Sequence, residues 1–312
     1  MKIHNFRYNV VEKFGRVLLP LITVFKEDQS IDYKTTRKVA RYVIERGFCD
    51  SIIVSGTTGE FYAMSVDERI RLLREIKDEV GNEVPLIAGT GAIFVEDVIR
   101  LNQEAERLGY DAVMVVLPYY CHPEQEGIYQ HFKIIAENTS LPIMVYNIPL
   151  FVGVNLEPKT LARIAEFDNV IAVKDEAGLH PVQTTDYIKA TSGKLAVYSG
   201  DDTMILQVLV QGGVGVVSGG AHVVGDIIKA MIDDHLNGKN EEAMKKYHVL
   251  MDLFAAFHGV DGKRVNPTPL VKAAFEMISG LPTSAVRLPL IPATDEERAK
   301  LKDVLKRIGK ID

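Results

Sequence analysis

Short apolar runs rich in valine and isoleucine recur along the chain, and each gives way to a stretch of helical periodicity. The runs fall at 17–25, 51–56, 85–91, 112–118, 142–149, 170–176, 195–202 and 213–220. They are apolar at consecutive positions, which predicts strands buried on both faces, as in a parallel sheet covered by helices. The stretches between them are amphipathic. In residues 65–80, Ile70, Leu73, Ile76 and Val80 share one face with charges opposite. Ser65 and Glu68 have the spacing of a capping box at the start of that helix. Residues 95–109 repeat the pattern and stop at Gly109.

Eight such strand–helix units in succession predict an α/β fold closed as a (β/α)8 TIM barrel. An open doubly wound sheet is the structural rival, but it usually shows a GxGxxG turn early in the chain, which "GTTGEF" does not match. Beyond residue 221 the pattern changes to four helices, at 225–238, 239–257, 267–280 and 294–308. The expected organisation is a barrel over 1–236 and a C-terminal helical appendage over 237–312. Nothing resembling a linker separates the two.

The 312 residues are 47% hydrophobic and 25% charged, ordinary for a soluble globular chain. Net charge is −6 with acidic and basic residues interspersed, so no basic stripe favours nucleic acid. Residues 1–16 carry charges throughout and lack a signal-peptide core, and no apolar run reaches the ~18 residues of a membrane span. Cys49 and Cys121 stand far apart, in neither a CxxC pair nor a metal-ligand spacing. A cytoplasmic protein is expected. The eight histidines show no metal-binding spacing, and most of them read as surface residues.

In a barrel of this kind, chemistry sits at the C-terminal ends of the strands. Those ends carry Thr57 and Thr58, Tyr119 and Tyr120, Tyr146, Lys174, Gly200 to Asp202, and Ser218 to Gly220. Lys174 closes the apolar run "NVIAV" and would have to shed its solvation there, which disfavours the ammonium. At an ordinary pKa of ~10.4, well under ~0.1% of a lysine is neutral at pH 7, so burial is what turns it into a nucleophile toward carbonyls. The other reading of Lys174 is an ion pair with Asp175, Glu176 or another carboxylate. Tyr146 could shuttle protons beside that amine, or could be an anchored core aromatic. The "GTTGE" turn at 56–60 could cradle a carboxylate on its amides, or could be a tight turn whose threonines cap the next helix. The glycines of "SGDD" and "VSGG" make room at the barrel mouth or simply turn the chain.

Six motifs then carry a resemblance: "GTTGEF" (56–61), "LPYYCHPEQEGIYQHF" (117–132), "YNIP" (146–149), "VKDEAG" (173–178), "YSGDD" (198–202) and "VNPTPLVK" (265–272). In order and spacing the chain resembles the dihydrodipicolinate synthase / N-acetylneuraminate lyase family of class I aldolases over essentially its whole length. The resemblance implies that Lys174 forms a Schiff base with the keto carbon of pyruvate or another 2-keto acid. It implies Tyr146 as the proton-relaying phenol, with Thr57 and Tyr120 as relay partners, Tyr120 being donated by a neighbouring subunit. Thr57 and Thr58 would bind the keto-acid carboxylate, and Gly200 and Val217 would line the pocket. The implied assembly is a homotetramer, a dimer of dimers, and no metal or organic cofactor is required.

One departure bears on the substrate. Two residues after "YNIP", where the synthases usually carry an arginine that grips the semialdehyde carboxylate, this chain has Phe151. A phenyl ring cannot make that charge-assisted contact, and losing one typically costs a few kcal/mol. Phe151 points instead to members that act on uncharged hydroxyaldehydes. Thr203 departs from the glutamate that sialic acid lyases use, which favours a 2-keto-3-deoxygluconate or galactonate aldolase giving pyruvate and glyceraldehyde. Asp202, Thr203 and Ser218 are then candidates for holding sugar hydroxyls. The alternatives are a synthase condensing pyruvate with aspartate semialdehyde, and a non-catalytic barrel that binds a keto acid.

Overall fold

The computed structural model describes residues 4–6, 8–176 and 180–312. A short helix α1 (Val10–Phe14) leads into β1 (Val17–Pro20), α2 (Tyr33–Glu45), β2 (Ser51–Val54), α3 (Val66–Val80), β3 (Leu86–Gly89) and α4 (Val95–Leu108). The chain continues with β4 (Ala112–Val116), α5 (Gln125–Glu137), β5 (Ile143–Asn147), α6 (Pro149–Val152), α7 (Pro158–Ile164), β6 (Val170–Asp175) and α8 (Gln183–Ala190). It ends with β7 (Ala196–Ser199), α9 (Ile205–Val210), β8 (Gly215–Val217), α10 (Ala221–Leu236), α11 (Asn240–Ala256), α12 (Thr268–Ser279) and α13 (Asp295–Arg307). The strands are hydrogen-bonded in sequence order, β1 to β8, and β8 pairs in parallel with β1, so the sheet closes on itself. This is the expected TIM barrel, followed by C-terminal helices. Among the described residues no helix is long and apolar enough to cross a membrane.

All eight apolar runs become strands, each shorter than its run. β1 ends at Pro20, which has no N–H of its own to donate, and the Leu21 N–H makes one further bond to the Ile53 carbonyl of β2 at 2.8 Å. The rest of that run stays buried as loop, with Leu21, Ile22, Val24 and Phe25 almost wholly covered. At the start of β8, a Cβ on Gly215 would sit 2.1 Å from the carbonyl oxygen of Arg16, so only glycine lets the backbone ahead of β1 approach so closely.

Two compact units make up the chain, residues 1–18 with 85–217, and residues 19–84 with 218–312. In the first, β5, β6 and β7 lie side by side with Tyr146 opposite Lys174 and Lys174 opposite Tyr198. The next row is Asn147, Asp175 and Ser199. Because successive side chains alternate between faces, the two rows point to opposite sides of the sheet.

In the second unit, α3 carries the expected capping box, Ser65 with Glu68. Its buried face differs from the expected one: Arg69, Leu72, Leu73, Ile76 and Val80 are buried, while Ile70 is only half-buried. Arg69 tolerates burial because its Nε donates to Ser55 Oγ at 2.9 Å and its guanidinium lies over the Phe61 ring. Position 236, where the barrel was expected to end and the appendage to follow from 237, is the last residue of α10, and α10 packs along α11.

Candidate active site

β6 is buried along its whole length and ends with Lys174 and Asp175. Lys174 is 5% exposed, and its Nζ lies 3.8 Å from the centroid of the Tyr146 ring. Burial holds its pKa below the ordinary lysine value, and the charges of Glu176, Asp202 and Asp201 oppose that shift without cancelling it. Gly200 leaves space for the lysine stem: a Cβ there would fall 2.8 Å from Lys174 Cε and 3.2 Å from Cγ. The Tyr146 side chain is buried, and its phenol donates a hydrogen bond to Glu176 Oε2 at 3.1 Å. Burial pushes the Glu176 carboxyl up to about 7, with the Lys174 charge pulling the other way.

Lys174 does not pair with its chain neighbour Asp175. Asp175 is on the opposite face, where its Oδ1 accepts from Asn147 Nδ2 at 2.8 Å and from Gln183 Nε2 at 2.9 Å. Asn155 joins the same network, accepting from Asn147 and donating to Gln183. Burial raises the Asp175 carboxyl to about 6, and those two hydrogen bonds limit the rise. Among the described residues, no carboxylate oxygen stands within ion-pairing distance of Lys174 Nζ, and the neighbour it touches is an aromatic face.

The remaining candidates of the first unit differ widely in exposure. Val217 is buried in β8, and Asp202 is half-buried in the turn after β7. Asp201 accepts from both the backbone N–H and the hydroxyl of Thr203, at 2.8 and 2.7 Å. Phe151, in α6, is 37% exposed. Tyr120 is 89% exposed and sits at φ 72°, a left-handed conformation uncommon for a bulky residue.

In the second unit the turn after β2 is held by the Gly59 N–H on the Gly56 carbonyl and the Glu60 N–H on the Thr57 carbonyl. Thr57 and Thr58 are half-buried there. The capping role considered for these threonines does not materialise: the short helix at Phe61–Ala63 has no side-chain cap, and Ser65 caps α3. Thr58 lies beside Gly219, and Ser218 Oγ accepts the Ala221 N–H at 2.9 Å, capping α10. Ala177 and Gly178 of "VKDEAG" lie outside the described residues.

Three features were missed in the sequence. Glu176 was considered only as a lysine partner, yet it receives the Tyr146 phenol. Glu60 forms a fully buried ion pair with Lys272 Nζ at 2.6 Å and also accepts the Arg287 N–H. Both residues lie in quoted motifs, but nothing in their spacing of more than two hundred positions announces a pairing. His222 is buried, unlike the surface position expected of most histidines: its Nε2 accepts the Ile22 N–H at 3.1 Å and its Nδ1 faces the Gly219 carbonyl at 2.9 Å.

A desolvated lysine against a tyrosine, on neighbouring strands of a closed parallel barrel, is the equipment of a carbon–carbon lyase that works through its amine. The model of the Dihydrodipicolinate synthetase family matches residues 13–308, and the chain belongs to that family. It is 42% identical over 293 residues to the 4-hydroxy-tetrahydrodipicolinate synthase of Desulforudis audaxviator (strain MP104C), covering 94% of this chain and 97% of that protein. The crystal structure of a dihydrodipicolinate synthase from Bacillus anthracis superposes with a TM-score of 0.87 at 39% identity, over 94% of this chain and 98% of that one. That of the Acinetobacter baumannii enzyme complexed with pyruvate gives 0.87 at 33% identity, over 95% and 99%.

These relatives overturn the expected substrate class. Curated relatives 40–42% identical over 94–95% of this chain bear the name 4-hydroxy-tetrahydrodipicolinate synthase, not that of a 2-keto-3-deoxy sugar acid aldolase. The error lay in the weight given to Phe151. A loss of a few kcal/mol presumes a desolvated contact, whereas position 151 is more than a third exposed. A charge pair in such a place is worth about 0–1 kcal/mol, too little to decide a substrate.

Proposed function

We propose that the chain is a 4-hydroxy-tetrahydrodipicolinate synthase, condensing pyruvate with aspartate semialdehyde through a Schiff base on Lys174. The observation that carries the reading is the buried, pKa-lowered Lys174 amine against Tyr146, in a chain whose similar relatives bear that name. Lys174 adds to the keto carbon of pyruvate and expels water, and the resulting imine draws electrons from the methyl carbon, which then attacks the aldehyde. Tyr146 moves the protons that these steps require. Thr57 and Tyr120 assist it, Thr57 and Thr58 receive the pyruvate carboxylate, and Gly200 and Val217 shape the pocket. The active form is a homotetramer in the cytoplasm, with Tyr120 reaching a neighbouring subunit, and residues 237–312 serve as a helical extension of the barrel.

Turnover of two aldehydes in the presence of pyruvate tests the reading. Aspartate semialdehyde should be consumed with much the higher kcat/KM. Equal or faster use of glyceraldehyde would overturn it.

A further inference from the structure

The relay implied by the resemblance runs from Tyr146 to Thr57 and a tyrosine of a neighbouring subunit. This chain sets another group against the same phenol. Glu176 follows Lys174 by two residues, so extended backbone aims both toward one side. Its backbone N–H donates to the Asn147 carbonyl at 3.0 Å, which keeps the segment alongside β5 past the last residue of β6. Glu176 Oε2 accepts the Tyr146 phenol at 3.1 Å, and Lys174 Nζ lies 3.8 Å over the same ring. Amine and carboxylate thus meet the same tyrosine, one at its ring face and the other at its hydroxyl.

Anchoring a buried phenol does not call for a carboxylate. Tyr187 donates to the Leu156 carbonyl at 2.7 Å, and Tyr198 to the Gly15 carbonyl at 2.8 Å. Those acceptors cannot take up a proton; the acceptor given to Tyr146 can.

We infer that Glu176 is the proton store behind Tyr146, a positioning residue that exchanges protons with the substrate through the phenol. The inference deepens the Schiff-base reading and rests on it. It begins with neutral Lys174 and the neutral carboxyl of Glu176. As the nitrogen–carbon bond forms, the carbonyl electron pair moves to oxygen. The phenol gives its proton to that oxygen and takes one from Glu176. The cationic nitrogen then passes a proton to the phenol oxygen while the phenol's own proton returns to the carboxylate. Finally the carboxyl proton travels through the phenol to the hydroxyl, the carbon–oxygen bond breaks, and water leaves as the nitrogen pair closes the iminium. Glu176 ends as the carboxylate facing that positive charge.

The electrostatics suit the task. Lys174 on β6 and Tyr146 on β5 favour the charged form of Glu176, while burial and the charges of Asp201 and Asp202 after β7 disfavour it. With the carboxyl near 7, both of its forms are populated at neutral pH, which suits a proton donor and acceptor.

The test compares kcat against pH for the intact protein, Glu176→Gln and Glu176→Asp, with borohydride trapping of the pyruvate adduct alongside. Glutamine still accepts the phenol but takes no proton. Its kcat should fall roughly 100-fold, the inflection near pH 7 should vanish, and KM for pyruvate should change little. Aspartate should retain the inflection. Wild-type kcat and inflection in Glu176→Gln would overturn the relay while a trapped adduct leaves the function standing. No trapped adduct in the unaltered protein would overturn the function, and the relay with it. If the glutamine variant does not fold, Tyr146→Phe decides: it should also lose the inflection, and an inflection that persists without the phenol contradicts the relay.

Discussion

At the scale of single residues, the reactivity assigned to Lys174 comes from position. The side chain ends on a fully buried strand, against an aromatic face, with Gly200 vacating the volume its stem occupies. Gly200→Ala would place a carbon 2.8 Å from Lys174 Cε, closer than packed atoms approach, so the lysine must swing away from Tyr146. The variant should fold and should lose at least about 10-fold in the rate of pyruvate adduct formation, read by quenching with borohydride at timed intervals. Phe151 gives the opposite kind of prediction. At so exposed a position, Phe151→Arg should lower KM for aspartate semialdehyde by no more than about 5-fold with kcat unchanged, the range expected of a solvent-screened pair. A change of 100-fold would mean that position 151 governs the substrate after all. Lys174 and Tyr146 could be picked out from the sequence because strand ends are where barrels keep their chemistry. The phenol's partner could not, because i+2 on a strand is a neighbour only once β5 is known to lie alongside.

At the scale of elements, the turn that carries Thr57 and Thr58 is fastened by Glu60 to α12 and to the segment at Arg287. Both charges of the Glu60–Lys272 pair are fully buried. Lys272→Met should therefore strand a carboxylate and destabilise the fold by about 3–5 kcal/mol, and adding Glu60→Gln should restore part of that loss in urea melts. His222 ties β1's continuation to α10 in its neutral form, since an Nε2 that accepts from Ile22 cannot carry a proton. Burial lowers its pKa to about 4. Between an unfolded value of ~6.5 and that point, the unfolded chain binds a proton and the folded one does not, so this contribution is present above pH 6.5 and lost as pH falls. His222→Gln should be the less stable protein at pH 7, with the gap narrowing by about 3 kcal/mol by pH 4. The strands were legible because double-sided burial leaves unbroken apolar runs, and their ends were not, because Ile22 and Val24 are equally buried yet give their N–H groups to the His222 and Thr36 side chains rather than to a neighbouring strand. The histidine was illegible for a related reason: a polar side chain satisfied by two backbone groups leaves no periodic trace.

At the scale of the whole molecule, eight apolar runs alternating with helices sufficed for a closed barrel, since connection rules leave parallel strands few other arrangements. The substrate was not legible in that way. The resemblance spans more than one substrate class, and an exposed position such as Phe151 carries too little energy to choose between them. Tyr120 also belongs to this scale. An aromatic ring that is 89% exposed, on a left-handed residue, suits insertion into another copy. Sedimentation should find a tetramer, and a fully active monomer would contradict the assembly. The most direct test of the central claim is to add pyruvate, reduce with borohydride, digest the protein and locate the modified residue by mass. A reduced pyruvyl group should appear on Lys174 and should be absent from Lys174→Ala. An unmodified Lys174, or the same label on a different lysine, would contradict the account.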